Sequence, residues 1–187
     1  SSIVYATLRQ SRQGPVEGSA TGGPGTGLHK STDGGTTWRP IGSGLPTFAV
    51  DRLDRISMAV APGNARRLFA VAHAESRGGL YRSDDAGESW AVVNAGTDFI
   101  AGEAGSVSVA VDGTNADVVY VTGAAVRKST DGGKTFAMWR TALDGAGYQR
   151  VWLSNTNGAF AALAGGRGAI VTVNGGATWS SADNQPT

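Results

Sequence analysis

No cysteine occurs anywhere in the chain, which excludes disulfides and thiolate metal sites and leaves the compartment open. Histidine is scarce too: His29 and His73 lie in separate segments without the spacing of a metal pair, so both read as strand residues. No metal and no cofactor are expected. Charge of one sign is missing, since 16 Lys and Arg face 15 Asp and Glu with no run of like charges, which argues against a nucleic-acid partner or an anionic membrane surface. The apolar stretches are too short to span a bilayer, so no membrane insertion is expected. No signal peptide opens the sequence, so an exported protein would be seen here in a mature or trimmed form. Also lacking are a sustained 3.6-residue apolar period, a Ser-His-Asp order, a phosphate-cradling glycine loop before a helix, and calcium-loop spacing in the turn Asp112–Asp117. Helical bundles, nucleophilic hydrolases and nucleotide enzymes are thereby disfavoured.

What is abundant is glycine, 29 of 187 residues, placed at turn spacing without a Gly-X-Y period. Much of it belongs to an octapeptide that recurs four times, at Ser31–Trp38, Ser83–Trp90, Ser129–Phe136 and Thr172–Trp179. Its third position is Asp33, Asp85, Asp131 or Asn174, and the steps between them are 52, 46 and 43 residues, the length of a four-stranded propeller blade. Asp or Asn at a turn accepts backbone hydrogen bonds, and glycine supplies a positive φ. The fifth position is Gly35, Gly87, Gly133 and Gly176, whereas the fourth accepts Ala86, so the special backbone conformation is expected at the fifth. The closing aromatics Trp38, Trp90, Phe136 and Trp179 are suited to wedging between sheets. Because Asn174 replaces a carboxylate, the octapeptide reads as a folding device and not as a row of metal or catalytic sites.

The expected fold is all-β: a β-propeller of four-stranded antiparallel blades, about four of them, forming an arc of a larger ring. Blade boundaries fall at about 1–44, 45–94, 95–141 and 142–187. In the second blade the strands read Ile56–Ala61, Leu68–Ala74, Leu80–Ser83 and Trp90–Val93, and the third and fourth repeat that order. The first blade differs, because Ile3–Leu8 matches a second strand and nothing precedes it as the innermost one. An uncovered edge invites pairing, so the remainder of a larger propeller or a partner protein is expected to complete the blades. Residues 10–26 read as a surface loop.

The octapeptide resembles the Asp box, or BNR repeat, of sialidases, family 74 glycoside hydrolases, sortilin-type Vps10 domains and photosystem II assembly propellers. The wider runs Gly79–Asp85 and Arg127–Phe136, with the closing Asn184-Gln185-Pro186, are similar to secreted bacterial sortilin-like BNR-repeat proteins called glycosyl hydrolases. This resemblance implies an extracytoplasmic location and a functional face opposite the boxes, at the blade junctions. Activity does not carry over, since enzymes, receptors and assembly factors share the box. Sialidase is disfavoured because the early Arg-Ile-Pro motif is missing, and Arg39-Pro40-Ile41 has the wrong order on an outer strand.

The junction segments 45–54, 94–106 and 143–150, with the long loop 10–26 and the segment 75–78, carry the candidate site. Asp54, Glu103 and Asp144 come from successive junctions and are the candidate catalytic carboxylates, since two across a cleft can serve as acid and as base or nucleophile in glycoside hydrolysis. Asp51, Arg52, Arg55, Arg77, Tyr148 and Arg150 are the candidate binding residues. The bland alternative is that these are solvated charges or ion-pair partners. Two functions follow: a noncatalytic scaffold binding a protein or ligand, or a carbohydrate-active propeller of the family 74 type with a glycan as partner. The scarcity of aromatics on these loops, Phe48, Phe99 and Tyr148, favours the first.

Overall fold

The computed structural model describes residues 2–13, 19–96, 107–141, 147–166 and 168–181, with backbone alone for 11–13 and 19–21. In the first blade β1 (Val4–Leu8) leads through a hairpin of β2 (Ser11–Gln13) and β3 (Ser19–Thr21) to β4 (Gly27–Ser31) and β5 (Arg39–Ile41). A single helical turn, α1 (Phe48–Asp51), precedes the second blade: β6 (Arg55–Ala61), β7 (Asn64–His73), β8 (Gly79–Ser83) and β9 (Ala91–Asn94). The third holds β10 (Val109–Val111), β11 (Val119–Val121), β12 (Ala125–Ser129) and β13 (Ala137–Thr141). The fourth holds β14 (Tyr148–Leu153), β15 (Ala161–Gly165), β16 (Gly168–Thr172) and β17 (Ser180–Ser181). Pairing is antiparallel and sequential within each blade, and β6, β10 and β14 neighbour one another as inner strands. The chain is therefore an all-β arc of propeller blades. Its first sheet is the three-stranded β1-β4-β5, in which β1 takes the place that β7 fills in the next blade.

Three details of the strands differ from the sequence reading. The insertion after β1 contains a short backbone hairpin where a plain loop was expected. β7 begins at Asn64, extending the pairing beyond the expected start at Leu68. Tyr148 and Arg150 lie within β14 and not on the junction loop, because the strand continues through a register shift between them. Among the described residues no helix is long and apolar enough to cross a membrane.

The core lies between blades. Leu28, Leu45, Leu53, Ile56, Leu68 and Tyr81 seal the first against the second. Phe69, Val71 and Leu80 meet Val109, Val111, Val119 and Val121 between the second and third, and Tyr120 and Val126 meet Tyr148 and Leu163 between the third and fourth. Each such side chain contributes about 1.5–3 kcal/mol on burial.

The octapeptides form one repeated hairpin. In the first copy the Ser31 hydroxyl donates to Asp33 Oδ1 at 2.7 Å and accepts from Gly35 N at 2.8 Å, while Asp33 accepts from Thr37 N at 2.9 Å and from the Thr37 hydroxyl at 2.6 Å. The Trp38 indole closes the turn by donating to the Gly35 carbonyl at 2.9 Å. The hydroxyl donors, with the backbone N–H groups, hold the Asp33, Asp85 and Asp131 carboxyls well below the usual carboxylate range. In the last copy the amide of Asn174 reverses one bond and donates to the Thr178 hydroxyl at 2.8 Å, so no charge is needed.

Both glycine positions take positive φ, a correction to the expectation that only the fifth does: Gly34, Ala86, Gly132 and Gly175 lie at +62° to +74°, and the fifth residues at +87° to +99°. What sets the two apart is space. A Cβ on Gly34 or Gly175 would meet nothing, and one on Gly132 only the ends of the Arg82 and Asp117 side chains at 3.2 Å, so Ala86 fits at this position at the cost of backbone strain. A Cβ on Gly87 would sit 2.9 Å from Ile41 Cδ1 of the preceding blade, and one on Gly133 would fall onto Leu80 Cδ2. A Cβ on Gly35 would meet only its own Trp38, at 3.7 Å, whereas at Gly87, Gly133 and Gly176 the fifth residue is glycine because the previous blade packs on it. The same neighbour also caps the turn: Lys30 Nζ and the Tyr5 hydroxyl donate to the Ala86 carbonyl, Asn94 Nδ2 to that of Lys134, and Trp139 Nε1 to that of Gly175.

Candidate functional site at the first blade junction

Octapeptide turns join third to fourth strands, so they lie on the face opposite the junctions. At the first junction Thr47 caps α1, its hydroxyl accepting from Val50 N, and the chain leaves through Arg52 at φ +54°. The Asp51 carboxylate is 2% exposed and accepts from Thr47 N at 2.9 Å and the Ser76 hydroxyl at 3.1 Å, with Arg77 Nη1 at 3.6 Å. Its carbonyl accepts from Glu75 N, and Arg77 Nη2 donates to the Gly44 carbonyl at 2.7 Å. Asp51 and Arg77 therefore clasp the junction to the β7–β8 loop.

Asp54 stands one residue before β6, where the register of Arg55 with His73 brings three cationic or potentially cationic groups around it. Arg9 Nη2 donates to Oδ1 at 2.9 Å, Arg55 Nε lies 3.8 Å from Oδ2, and His73 Nδ1 lies 3.7 Å from the same oxygen. Burial first, and then the Arg55 charge, push the His73 pKa below its ordinary value, with Asp54 opposing. Asp54, His73, Ala74, Glu75, Phe48 and Arg52 bound a cavity of about 590 Å³. A second, largely apolar cavity of about 620 Å³ adjoins it, shares Phe48, and is bounded also by Leu28, His29, Ile41, Leu45 and Leu53.

Of the sequence candidates, the structure gathers Asp51, Arg52, Asp54, Arg55 and Arg77 at this one junction. Tyr148 is buried between the third and fourth blades, its hydroxyl without a hydrogen-bond partner among the described residues, and Arg150 is exposed on β14. Glu103 and Asp144 lie outside the described residues, as do Phe99 and Asn184-Gln185-Pro186. Glu75 comes from the segment 75–78 expected on this face, whereas Arg9 and His73 join the site without having been assigned to it; the β6–β7 register was the signal that places His73 beside Asp54. Chemically, a carboxylate between two guanidiniums suits an acceptor, base or nucleophile and not a proton donor. Among the described residues no group of three His, Asp or Glu side chains is set to hold a metal.

No family model matches the chain. A xyloglucanase of Hypocrea jecorina (strain QM6a) is 34% identical over 95 residues, which cover 51% of this chain and 10% of that protein. A xyloglucanase of Paenibacillus sp is 38% identical over 79 residues, covering 41% of this chain and 7% of that protein. The matched part thus spans a tenth or less of the length of these curated relatives. Among solved structures, a Niastella koreensis GH74 enzyme superposes with a TM-score of 0.65 at 20% identity, over 85% of this chain and 27% of that one. YCF48 from Cyanidioschyzon merolae superposes with a TM-score of 0.57 at 16% identity, over 86% of this chain and 50% of that one. At these identities the superpositions show the fold, a β-propeller.

Proposed function

We propose that this chain forms blades of a carbohydrate-active propeller acting on a β-glucan of the xyloglucan kind. The observation that carries the reading is the local sequence identity to two xyloglucanases, which favours the carbohydrate-active alternative over the noncatalytic scaffold. The octapeptides are assigned as Asp boxes, and the chain as extracytoplasmic. Asp54 serves as a base, nucleophile or hydroxyl acceptor on the junction face; its acid partner is assigned, from sequence order alone, to Glu103 or Asp144. At the arc's two ends Trp38 is 42% exposed and Trp152 is 56% exposed, whereas Trp90, which packs on a preceding blade, is 6% exposed. The proposal therefore includes further blades covering both ends, as partner or as continuation.

The test is reducing-end release from xyloglucan and from other glycans by the purified protein, with any polypeptide that accompanies it, alongside its native mass. Turnover or binding of xyloglucan, lowered in Asp54→Asn with the melting curve unchanged, supports the assignment. Absence of both turnover and binding across neutral glucans refutes it and returns the scaffold reading.

A further inference from the structure

The first residue of the octapeptide gives every blade a common register mark. Ser31 lies opposite Val4 of β1, Ser83 opposite Leu68 of β7 and Ser129 opposite Val119 of β11, so β1 stands second in its sheet. In the second and third blades an inner strand pairs antiparallel with the other edge of that second strand, Val60 with Leu68 and Val111 with Val119. Among the described residues no strand runs along that edge of β1. Its five residues therefore present unpaired N–H and C=O groups. Two side chains mark the same place. Val60 is 36% exposed, whereas Val111, at the matching position of the third blade, is 5% exposed in a cluster with Ala61. Thr7 lies opposite Leu28 as Val71 lies opposite Leu80, yet Thr7 is exposed and Val71 is buried. Since β6 neighbours β1 as β10 neighbours β7, the open edge of β1 and the uncovered side of β6 bound one strand-wide groove.

We infer that this groove takes a single extended polypeptide strand from outside the 187 residues, which runs antiparallel to β1 and completes the first sheet as its innermost member. Main-chain pairing along Val4–Leu8 supplies the affinity, and alternate side chains supply the selectivity. The next interface of the arc shows what that selectivity is. There β6 sets Ala59 and Ala61 against Val109 and Val111 of the third blade, while its Ile56 and Met58 pack back toward the first. By the same register the incoming strand sets alanine or serine against Met58 and Val60 and carries larger aliphatic residues on its opposite face. Large residues on both faces would overfill the space between the sheets. This inference rests on the part of the reading above that covers the first end of the arc, and not on the glycan assignment.

The probe is a synthetic peptide with the sequence of β6, Arg-Ile-Ser-Met-Ala-Val-Ala, blocked at both termini and added to the purified chain. A control peptide carries leucine in place of both alanines, so that no shift of register gives it a small face. Fluorescence anisotropy reads affinity, and amide hydrogen exchange reads where the peptide lies. The expected result is slowed exchange at those amides of Val4–Leu8 that do not bond to β4, with binding weakened about tenfold for the leucine peptide. Val60→Glu in the protein, which sets a charge where the strand would bury it, should weaken the first peptide by at least as much; its melting curve reports folding, and the leucine peptide tests the unmodified protein in any case. Equal affinity of the two peptides, protection confined to other strands, or no binding overturns the proposal. So do β1 amides already slow to exchange in a protein whose native mass is one chain, because the 187 residues would then cover that edge themselves. Release of sugar from xyloglucan is read independently of all these outcomes, so the two readings fail separately.

Discussion

Replacing Gly133 by alanine tests whether the fifth octapeptide glycine is fixed by its neighbouring blade. Gly133 lies at φ +89°, where an L-residue costs about 1–2 kcal/mol. Gly34→Ala carries that same backbone cost at φ +74° with open space around the new methyl, so its expected loss is about 1–2 kcal/mol. At Gly133 the methyl must also displace Leu80 Cδ2, and it would stand 3.3 Å from Val93 Cγ2. Leu80 is fully buried in the cluster between the second and third blades, so it cannot swing into solvent. Overpacking adds about 1–3 kcal/mol, which brings Gly133→Ala to about 2–5 kcal/mol. Urea unfolding of both variants gives the difference through the midpoint and slope. A double variant with Leu80→Ala should lose less than the sum of its parts, because removing the leucine methyls makes room. Equal losses for Gly133→Ala and Gly34→Ala, within about 0.5 kcal/mol, or strict additivity with Leu80→Ala, would refute the packing argument.

Four further outcomes follow from the same geometry. Ala86→Gly relieves the strained φ of +62° at a position with room to spare, so its urea midpoint should rise by the equivalent of about 1 kcal/mol; a fall would show that Ala86 packs favourably where it stands. Asp85→Asn should be tolerated better than Asp85→Ala, since Asn174 performs the same bonding, and thermal melting of the pair checks it. The folded carboxyls of Asp33, Asp85 and Asp131 sit below their unfolded value of about 3.9, so their stabilisation is complete above that pH and is lost as pH falls toward the folded values; Asp85→Asn should flatten this acid dependence. His73 should titrate below about 6.5 by NMR, and Arg55→Met should raise its pKa, whereas no movement would separate it from the Arg55 charge.

The blades were legible because hydroxyl, carboxylate, glycine and aromatic recur at blade spacing, and each performs a local bond that any copy reveals. Copy comparison also found the tolerant fourth position but misjudged why, since φ is shared by both positions and the distinguishing atom, Leu80 Cδ2 or Ile41 Cδ1, comes from another blade. The turn α1 was invisible: four residues carry no periodicity, and its signal is only Thr47 with Asp51 four places on, each accepting a backbone N–H from the other's end of the turn. Tyr148 and Arg150 were misplaced because a bulged strand hides its alternation. At the junction, Asp54 and its arginine neighbour were legible as charges near a strand start, while Arg9 and His73 needed the register of two sheets to bring them in.

The contact of Gly87, Gly133 and Gly176 with the blade before each gives the repeat a direction. A blade carries the plug for its successor's socket and not for its own, so a crossover that swaps octapeptides alone would leave Ile41, Leu80 or Trp139 facing a turn selected against a different side chain. Copying or exchanging whole blades with their preceding sheet preserves every plug with its socket. Lengthening such a chain by duplication is then a neutral step, and shuffling its turns is not.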